Sequence, residues 1–251
     1  NPVRGYFSCV DGDLLFGLGN NLLADSLVVI WPNNKKQVIL NLPADTTIIV
    51  SHLNTDKYFS NISANSQQFF SDITSAAGIL YRHMDVSFND FDIQRLLPQK
   101  YSQTGPYITT GDIDKNGTID FFIGGGFNSS GKIFLQQTTL SFSSKSLIDS
   151  IKMEEDVDCV LFDADRDGDE DLLITGGDVR YQDSSDYYQP RLYLNNGKGN
   201  FSLQTNSIPA SVRTIAGCVS TGDYDADGDL DVFIGGRVSK KYPIAPKSFI
   251  L

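Results

Sequence analysis

Short apolar runs alternating with polar turns make up most of the chain. SLVVIWP (26–32), KQVILNL (36–42) and TTIIVSHL (46–53) are rich in β-branched residues and read as strands, with Pro-Asn-Asn at 32–34 turning between the first two. No run approaches the ~20 consecutive apolar residues that a membrane-spanning helix needs. Further along, one strand-and-turn pattern recurs in register. GPYITTGDIDKNGTIDFFIGGG (105–126), VDCVLFDADRDGDEDLLITGGD (157–178) and AGCVSTGDYDADGDLDVFIGGR (216–237) superimpose. In each, an apolar run leads into an acidic loop, and a second apolar run ending in Gly-Gly follows it.

The first loop aspartates, Asp112, Asp163 and Asp223, stand 51 and 60 residues apart, the size of a four-stranded propeller blade with variable insertions. Two more extended stretches follow each complete repeat: KIFLQQTT (132–139) and LSFSSKSL (140–147), then PRLYLNNG (190–197) and NFSLQT (200–205). Asn-Gly at 196–197 is a strong signal for a turn between two strands. Each unit therefore predicts a four-strand meander. The third unit reaches what would be its third strand at KSFIL (247–251), so the sequence is expected to stop inside a blade. The fold class expected is all-β: a partial β-propeller of four-stranded blades, with an acidic loop between the first and second strands, plus a small N-terminal β unit.

Numbering each loop from its first aspartate, side-chain oxygens fall at positions 1, 3, 5 and 9. They are Asp112, Asp114, Asn116 and Asp120; Asp163, Asp165, Asp167 and Asp171; and Asp223, Asp225, Asp227 and Asp231. Position 6 is glycine each time (Gly117, Gly168, Gly228), and position 7 is Thr118, Asp169 or Asp229, expected to offer its backbone carbonyl. So many carboxylates in a nine-residue turn repel one another unless a hard divalent cation neutralises them. Calcium fits best, because it accepts irregular shells of six to eight oxygens whereas magnesium demands near-octahedral geometry. About three Ca²⁺ sites are expected. An EF-hand begins in the same way but needs Glu at position 12, and here Ile123, Ile174 and Ile234 stand there, in strand-like runs. Asp and Gly also favour ordinary polar turns, but three loops in one register go beyond that. Ligand charge alone ranks the first loop weakest, since Asn116 replaces a carboxylate.

These repeats resemble the FG-GAP/VCBS repeats of calcium-bearing β-propellers, the group that includes the integrin α-subunit head. The resemblance rests on D-x-D-x-N-G-x-x-D at 112–120 and D-x-D-x-D-G-x-x-D at 163–171 and 223–231, each followed by apolar residues and Gly-Gly. FGLGNNLLADSLVVIWPNNKKQVILNLPADTTIIV (16–50) is similar to the ASPIC/UnbV domain that accompanies such repeats. The division expected is an incomplete ASPIC/UnbV-like β unit at 1–53, a linker or partial blade at 54–104, and three blades at 105–251. Within the linker, FFSDITSAAGI (69–79) resembles the last strand of a preceding repeat, and Asp90 and Asp92 read as part of a solvated turn.

Composition sharpens the function classes. The chain carries 31 Asp plus Glu against 20 Lys plus Arg, a formal net charge of −11. The loops hold 14 of those acids, so the acidity belongs to the metal sites and says little about the remaining surface. No basic cluster is present, and no nucleic-acid partner is expected. Cys9, Cys159 and Cys218 are too few and too far apart for a disulfide framework or a thiolate metal site. With His52 and His83 the only histidines, a multi-histidine zinc site is excluded. GFNSSGKI (126–133) imitates a phosphate loop but has Ile133 where Ser or Thr must reach the metal. The leading expectation is a non-catalytic calcium-binding module of an extracellular, cell-surface or periplasmic protein, meeting an unknown glycan or protein ligand on its loops. The alternative is part of a propeller-based carbohydrate-active enzyme, a lyase or hydrolase, whose catalytic residues no motif here reveals. His83, beside Arg82 and near Asp85, is the one residue that reads as a possible base.

Overall fold

A computed structural model describes residues 13–54, 57–58, 69–138, 140–241 and 243–251. The chain divides into two compact units between Ser71 and Asp72. In the smaller, β1 (Leu23–Ile30) and β2 (Lys35–Pro43) form an antiparallel hairpin with Leu27 opposite Ile39 and Val28 opposite Val38. The Pro-Asn-Asn turn joins them as expected, with Asn34 at φ 60 and its amide bonded to the Trp31 carbonyl at 2.9 Å. TTIIVSHL is not a strand. Residues 46–51 have no regular structure, and His52–Asn54 forms a single 3₁₀ turn. The free edge of β2 is instead met at Lys35 and Lys36 by β3 (Lys57–Tyr58). Trp31 serves packing, its ring meeting His52 edge-on at 5.8 Å.

The larger unit opens with residues that the sequence left least legible. FFSDITSAAGI forms no strand: residues 74–78 are a turn. Ala77 is nevertheless fully buried, and its carbonyl accepts from the Phe142 amide at 3.0 Å. Asp90 begins the short helix α1 (Asp90–Ile93) and is buried, not solvated. Its Oδ2 accepts from the amides of Tyr101 (2.6 Å) and Ser102 (3.0 Å), bonds between residues eleven and twelve apart that no local pattern encodes. Asp92 accepts from Asn89 at 2.8 Å.

Three antiparallel sheets follow in meander order. The first is β4 (Ile108–Gly111), β5 (Asp120–Ile123), β6 (Lys132–Thr138) and β7 (Ser141–Ser146). The second is β8 (Asp156–Phe162), β9 (Asp171–Gly176), β10 (Arg191–Leu194) and β11 (Ser202–Gln204). The third is β12 (Ile215–Gly222), β13 (Asp231–Val238) and β14 (Phe249–Ile250). The first strands lie side by side, β4 next to β8 and β8 next to β12, which stacks the sheets as blades. Among the described residues they do not close a ring.

Alternation along β9 builds the core between blades. Leu172 and Ile174 face the first blade, packing with Ile113, Phe122, Ile133, Cys159 and Tyr193. Leu173 points the other way, to Val219, Val232 and Ile234 of the third. Both faces of this middle strand are covered, so all six of its residues are buried. Cys159 is buried in this core, while Cys218 is exposed; both are free, and Cys9 lies outside the described residues.

Candidate metal centre

The acidic loops occupy one end of the blades, and each is closed by the same pair. Gly111 opposes Asp120, Phe162 opposes Asp171, and Gly222 opposes Asp231. Inside this closure the chain makes two left-handed steps. Position 4 takes φ 58 to 64 (Lys115, Arg166, Ala226), and the position-6 glycine takes φ 81, 82 and 96. The second step favours the residue without a Cβ.

The first aspartate folds each loop back on itself. The Asp112 carboxylate accepts from the amides of Asn116 and Gly117, both at 3.0 Å. Asp223 accepts from Asp227 and Gly228 at 3.2 Å each, and Asp163 from Gly168 at 3.0 Å. Position 5 accepts from the amide of position 7 in every loop: Asn116 from Thr118, Asp167 from Asp169, Asp227 from Asp229, at 2.8, 2.8 and 2.9 Å. The last aspartate ties the loop to the sheet. Asp120 accepts from Ile113 (2.9 Å) and from Gln136 on β6 (2.7 Å), and Asp171 from Ala164 (2.9 Å) and Asn195 (2.8 Å). Asp231 accepts from Tyr224 at 2.6 Å.

As a result, positions 1, 3 and 9 converge. Asp112, Asp114 and Asp120 each place a carboxylate oxygen within 4.8 Å of the others, as do Asp163, Asp165 and Asp171, and Asp223, Asp225 and Asp231. Asp167, Asp169, Asp227 and Asp229 are not members of these clusters; Asp167 and Asp227 accept from the amides of Asp169 and Asp229 within the turn. Burial pushes the Asp120 carboxyl above its ordinary range, with Asp114 adding to the effect, and burial does the same to Asp171, with Asp165 and Asp167 adding. One oxygen of Asp114 and one of Asp163 are buried without any hydrogen-bond partner. Such orphaned acceptors, converging with like charges, are the donor set that a hard cation with oxygen ligands satisfies.

Contacts between loops form a layer that the sequence reading missed. Lys115, at position 4 of the first loop, pairs with Asp169 at position 7 of the second. Arg166, at position 4 of the second, pairs with Asp229 at position 7 of the third. The only sequence signal is the basic residue at position 4. Glu170 of the second loop also crosses, its carboxyl filling the space that a Cβ on Gly111 would need. Burial raises its pKa, and Asp112 raises it further.

Residues 163–234, running from the first aspartate of the second loop into β13, match a family described as an FG-GAP-like repeat. The chain carries an FG-GAP-like repeat. Residues 1–57 match the family described as ASPIC and UnbV, and no curated protein matches the chain. The first loop lies outside the matched FG-GAP-like stretch yet shares its cluster, its left-handed steps and its closing pair.

A second concentration of charge lies at the opposite end of the blades. Arg191 on β10 pairs with Glu154 (3.0 Å) and Asp156 (2.6 Å), and Lys152 pairs with Asp156 at 2.9 Å while donating to the Gly125 carbonyl at 2.8 Å. Burial pushes Asp156 up, but Arg191 and Lys152 outweigh it and hold the carboxyl below its usual range. Every charge there has a partner, so the network fastens the first blade to the second. His83 has both ring nitrogens engaged, Nδ1 by the Tyr81 hydroxyl at 3.1 Å and Nε2 by Asp85 at 3.2 Å. Burial and nearby carboxylates raise the Tyr81 phenol, which opposes its use as a base. GFNSSGKI leads into strand β6, not a helix, and lacks the phosphate-loop setting.

Proposed function

We propose that this FG-GAP-like region is a non-catalytic, calcium-stabilised binding module of an exported or surface protein, with one Ca²⁺ in each acidic loop. Asp112, Asp114 and Asp120, Asp163, Asp165 and Asp171, and Asp223, Asp225 and Asp231 would hold the ions. Asn116, Asp167 and Asp227, or the carbonyls of Thr118, Asp169 and Asp229, would complete the shells. The observation that carries this reading is the convergence of three carboxylates in each loop, with buried oxygens of Asp114 and Asp163 left unpartnered. A bound ion stabilises the blade because it binds only the folded loop, contributing about 2.7 kcal/mol per site at a hundredfold excess over Kd. Millimolar calcium outside the cytoplasm saturates such sites, which supports an exported location. The ligand is a glycan or protein met on the loops at the blade ends. Isothermal titration should show about three calcium ions per chain, and EDTA should lower the melting temperature by several degrees. Unchanged melting together with no calcium uptake would sink the proposal.

A further inference from the structure

Ligand charge ranks the loops one at a time, yet three side chains carry their charge across from one blade to the next. Glu170 stands at position 8 of the second loop. Its carbonyl accepts from the Asn195 side-chain amide at 3.1 Å, and the same nitrogen donates at 2.8 Å to the carbonyl of Ile113, inside the first loop. That shared donor holds Glu170 against the first blade, with its carboxyl where a Cβ on Gly111 would fall. Gly111 precedes Asp112 and lies directly opposite Asp120, so the Glu170 charge sits beside the first and last ligand positions of the first loop. Position 8 of the third loop reaches back in the same way. Leu230 there lines one cavity with Asp163 and Asp165 of the second loop, but it brings no charge and is 51% exposed.

Position 4 reaches in the other direction. The Lys115 ammonium pairs with Asp169 and would lie 3.7 Å from a Cβ on Gly168, whose amide donates to Asp163. Arg166 pairs with Asp229 of the third loop, whose amide donates to Asp227. Each of these cations stands beside the ligands of a loop to which it does not belong.

We infer that the calcium affinity of each loop is set in part by its neighbours: Glu170 strengthens the first site, and Lys115 and Arg166 weaken the second and third. This inference rests on the reading of the loops as calcium sites and adds the residues that tune them. The three side chains act through charge and not as ligands, because a nearby anion lowers the cost of bringing in a divalent ion and a nearby cation raises it. Glu170 stands in for the charge that Asn116 lacks, so the first loop falls behind the second by less than its own ligands imply. One unit charge acting on a divalent ion through screening water changes affinity by roughly three- to tenfold.

The test is a calcium titration of the full chain, followed through the amide resonances of Gly117, Gly168 and Gly228, one reporter in each loop. Glu170→Gln keeps the side chain's shape and the Asn195 bond to its carbonyl but removes the charge. It should weaken the first loop about three- to tenfold and leave the third unchanged. A role confined to packing would leave this variant at wild-type affinity. Lys115→Gln should tighten the second loop by a similar factor, and so should Leu230→Glu, which adds a carboxylate over that loop at an exposed position. A first loop indifferent to Glu170→Gln, an equal change in all three loops, or a second loop tightened by neither Lys115→Gln nor Leu230→Glu would overturn the inference. No calcium uptake at any loop removes the calcium reading and this inference together. Uptake at wild-type affinity in every variant removes this inference alone.

Discussion

Glu155 shows how far one side chain can depart from its sequence context. Nothing in MEEDVD distinguishes it from its acidic neighbours, yet it is 1% exposed. One oxygen accepts from the Thr104 amide at 3.0 Å and the other has no partner. Burial, reinforced by Asp178 and Asp85, pushes its pKa up to about 7 from 4.5. A raised carboxyl pKa means that the folded state holds a proton the unfolded state has released. The stability tied to the neutral acid is therefore complete below about 4.5 and is lost as pH rises through about 7, about 3 kcal/mol in all. Glu155→Gln, which keeps a neutral side chain, should flatten the decline in melting temperature between those two pH values. A variant that loses stability with pH as steeply as the wild type would remove Glu155 as the cause. At the loops, by contrast, residue type was legible and partner was not. Asp169 and Asp229, at position 7, read as backbone-carbonyl donors with no role for the side chain, but their carboxylates meet Lys115 and Arg166 of the preceding loop. Lys115, Arg166 and Asp229 are exposed, so solvent screens both pairs, while Asp169 is buried.

At the scale of elements, the loop aspartates divide into two jobs. Asp163 folds its own loop, whereas Asp171 bonds to Ala164 and to Asn195 at the end of β10, joining loop to sheet. Alanine at either position should abolish calcium uptake at that loop. In EDTA, however, Asp171→Ala should be the less stable variant, by roughly 1–3 kcal/mol, because it leaves a buried amide unpaired. Equal stabilities in EDTA would remove the structural role of Asp171. The Gly-Gly that ends each of the first two repeats has a cause only the assembled blades reveal. A Cβ on Gly124 would lie 2.9 Å from the Cβ of Asp156, and one on Gly177 would lie 2.7 Å from the Ala216 carbonyl, both at the start of the next blade. Strand order and the nine-residue loops followed from the repeat. The failure of TTIIVSHL as a strand did not, because strand propensity is realised only through the pairing and packing that tertiary context supplies.

Over the whole molecule, every acidic loop falls in the larger of the two compact units. Calcium should therefore slow amide exchange in the blades and leave the β1–β2 hairpin unchanged; protection of the hairpin would show that the ions stabilise more than their own unit. The second loop should fill first. It has a carboxylate at positions 1, 3, 5 and 9, its Asp171 is buried with both oxygens bonded, and an oxygen of Asp163 awaits a partner. A site-resolved titration in which Asp163→Ala left the tightest binding step intact would overturn that order. With three calcium ions bound the formal charge would fall in magnitude from −11 to −5. The sequence by itself determined the all-β repeat, the four-stranded blades and the convergence of loop carboxylates, because strand alternation, turn glycines and ligand spacing act over a few residues. Only the tertiary structure decided that Asp90 and Glu155 are buried, that neighbouring loops clasp through Lys115 and Arg166, and that Glu170 crosses to the first loop. Those facts depend on residues from separate blades or distant segments meeting in space, and local pattern carries no information about that distance.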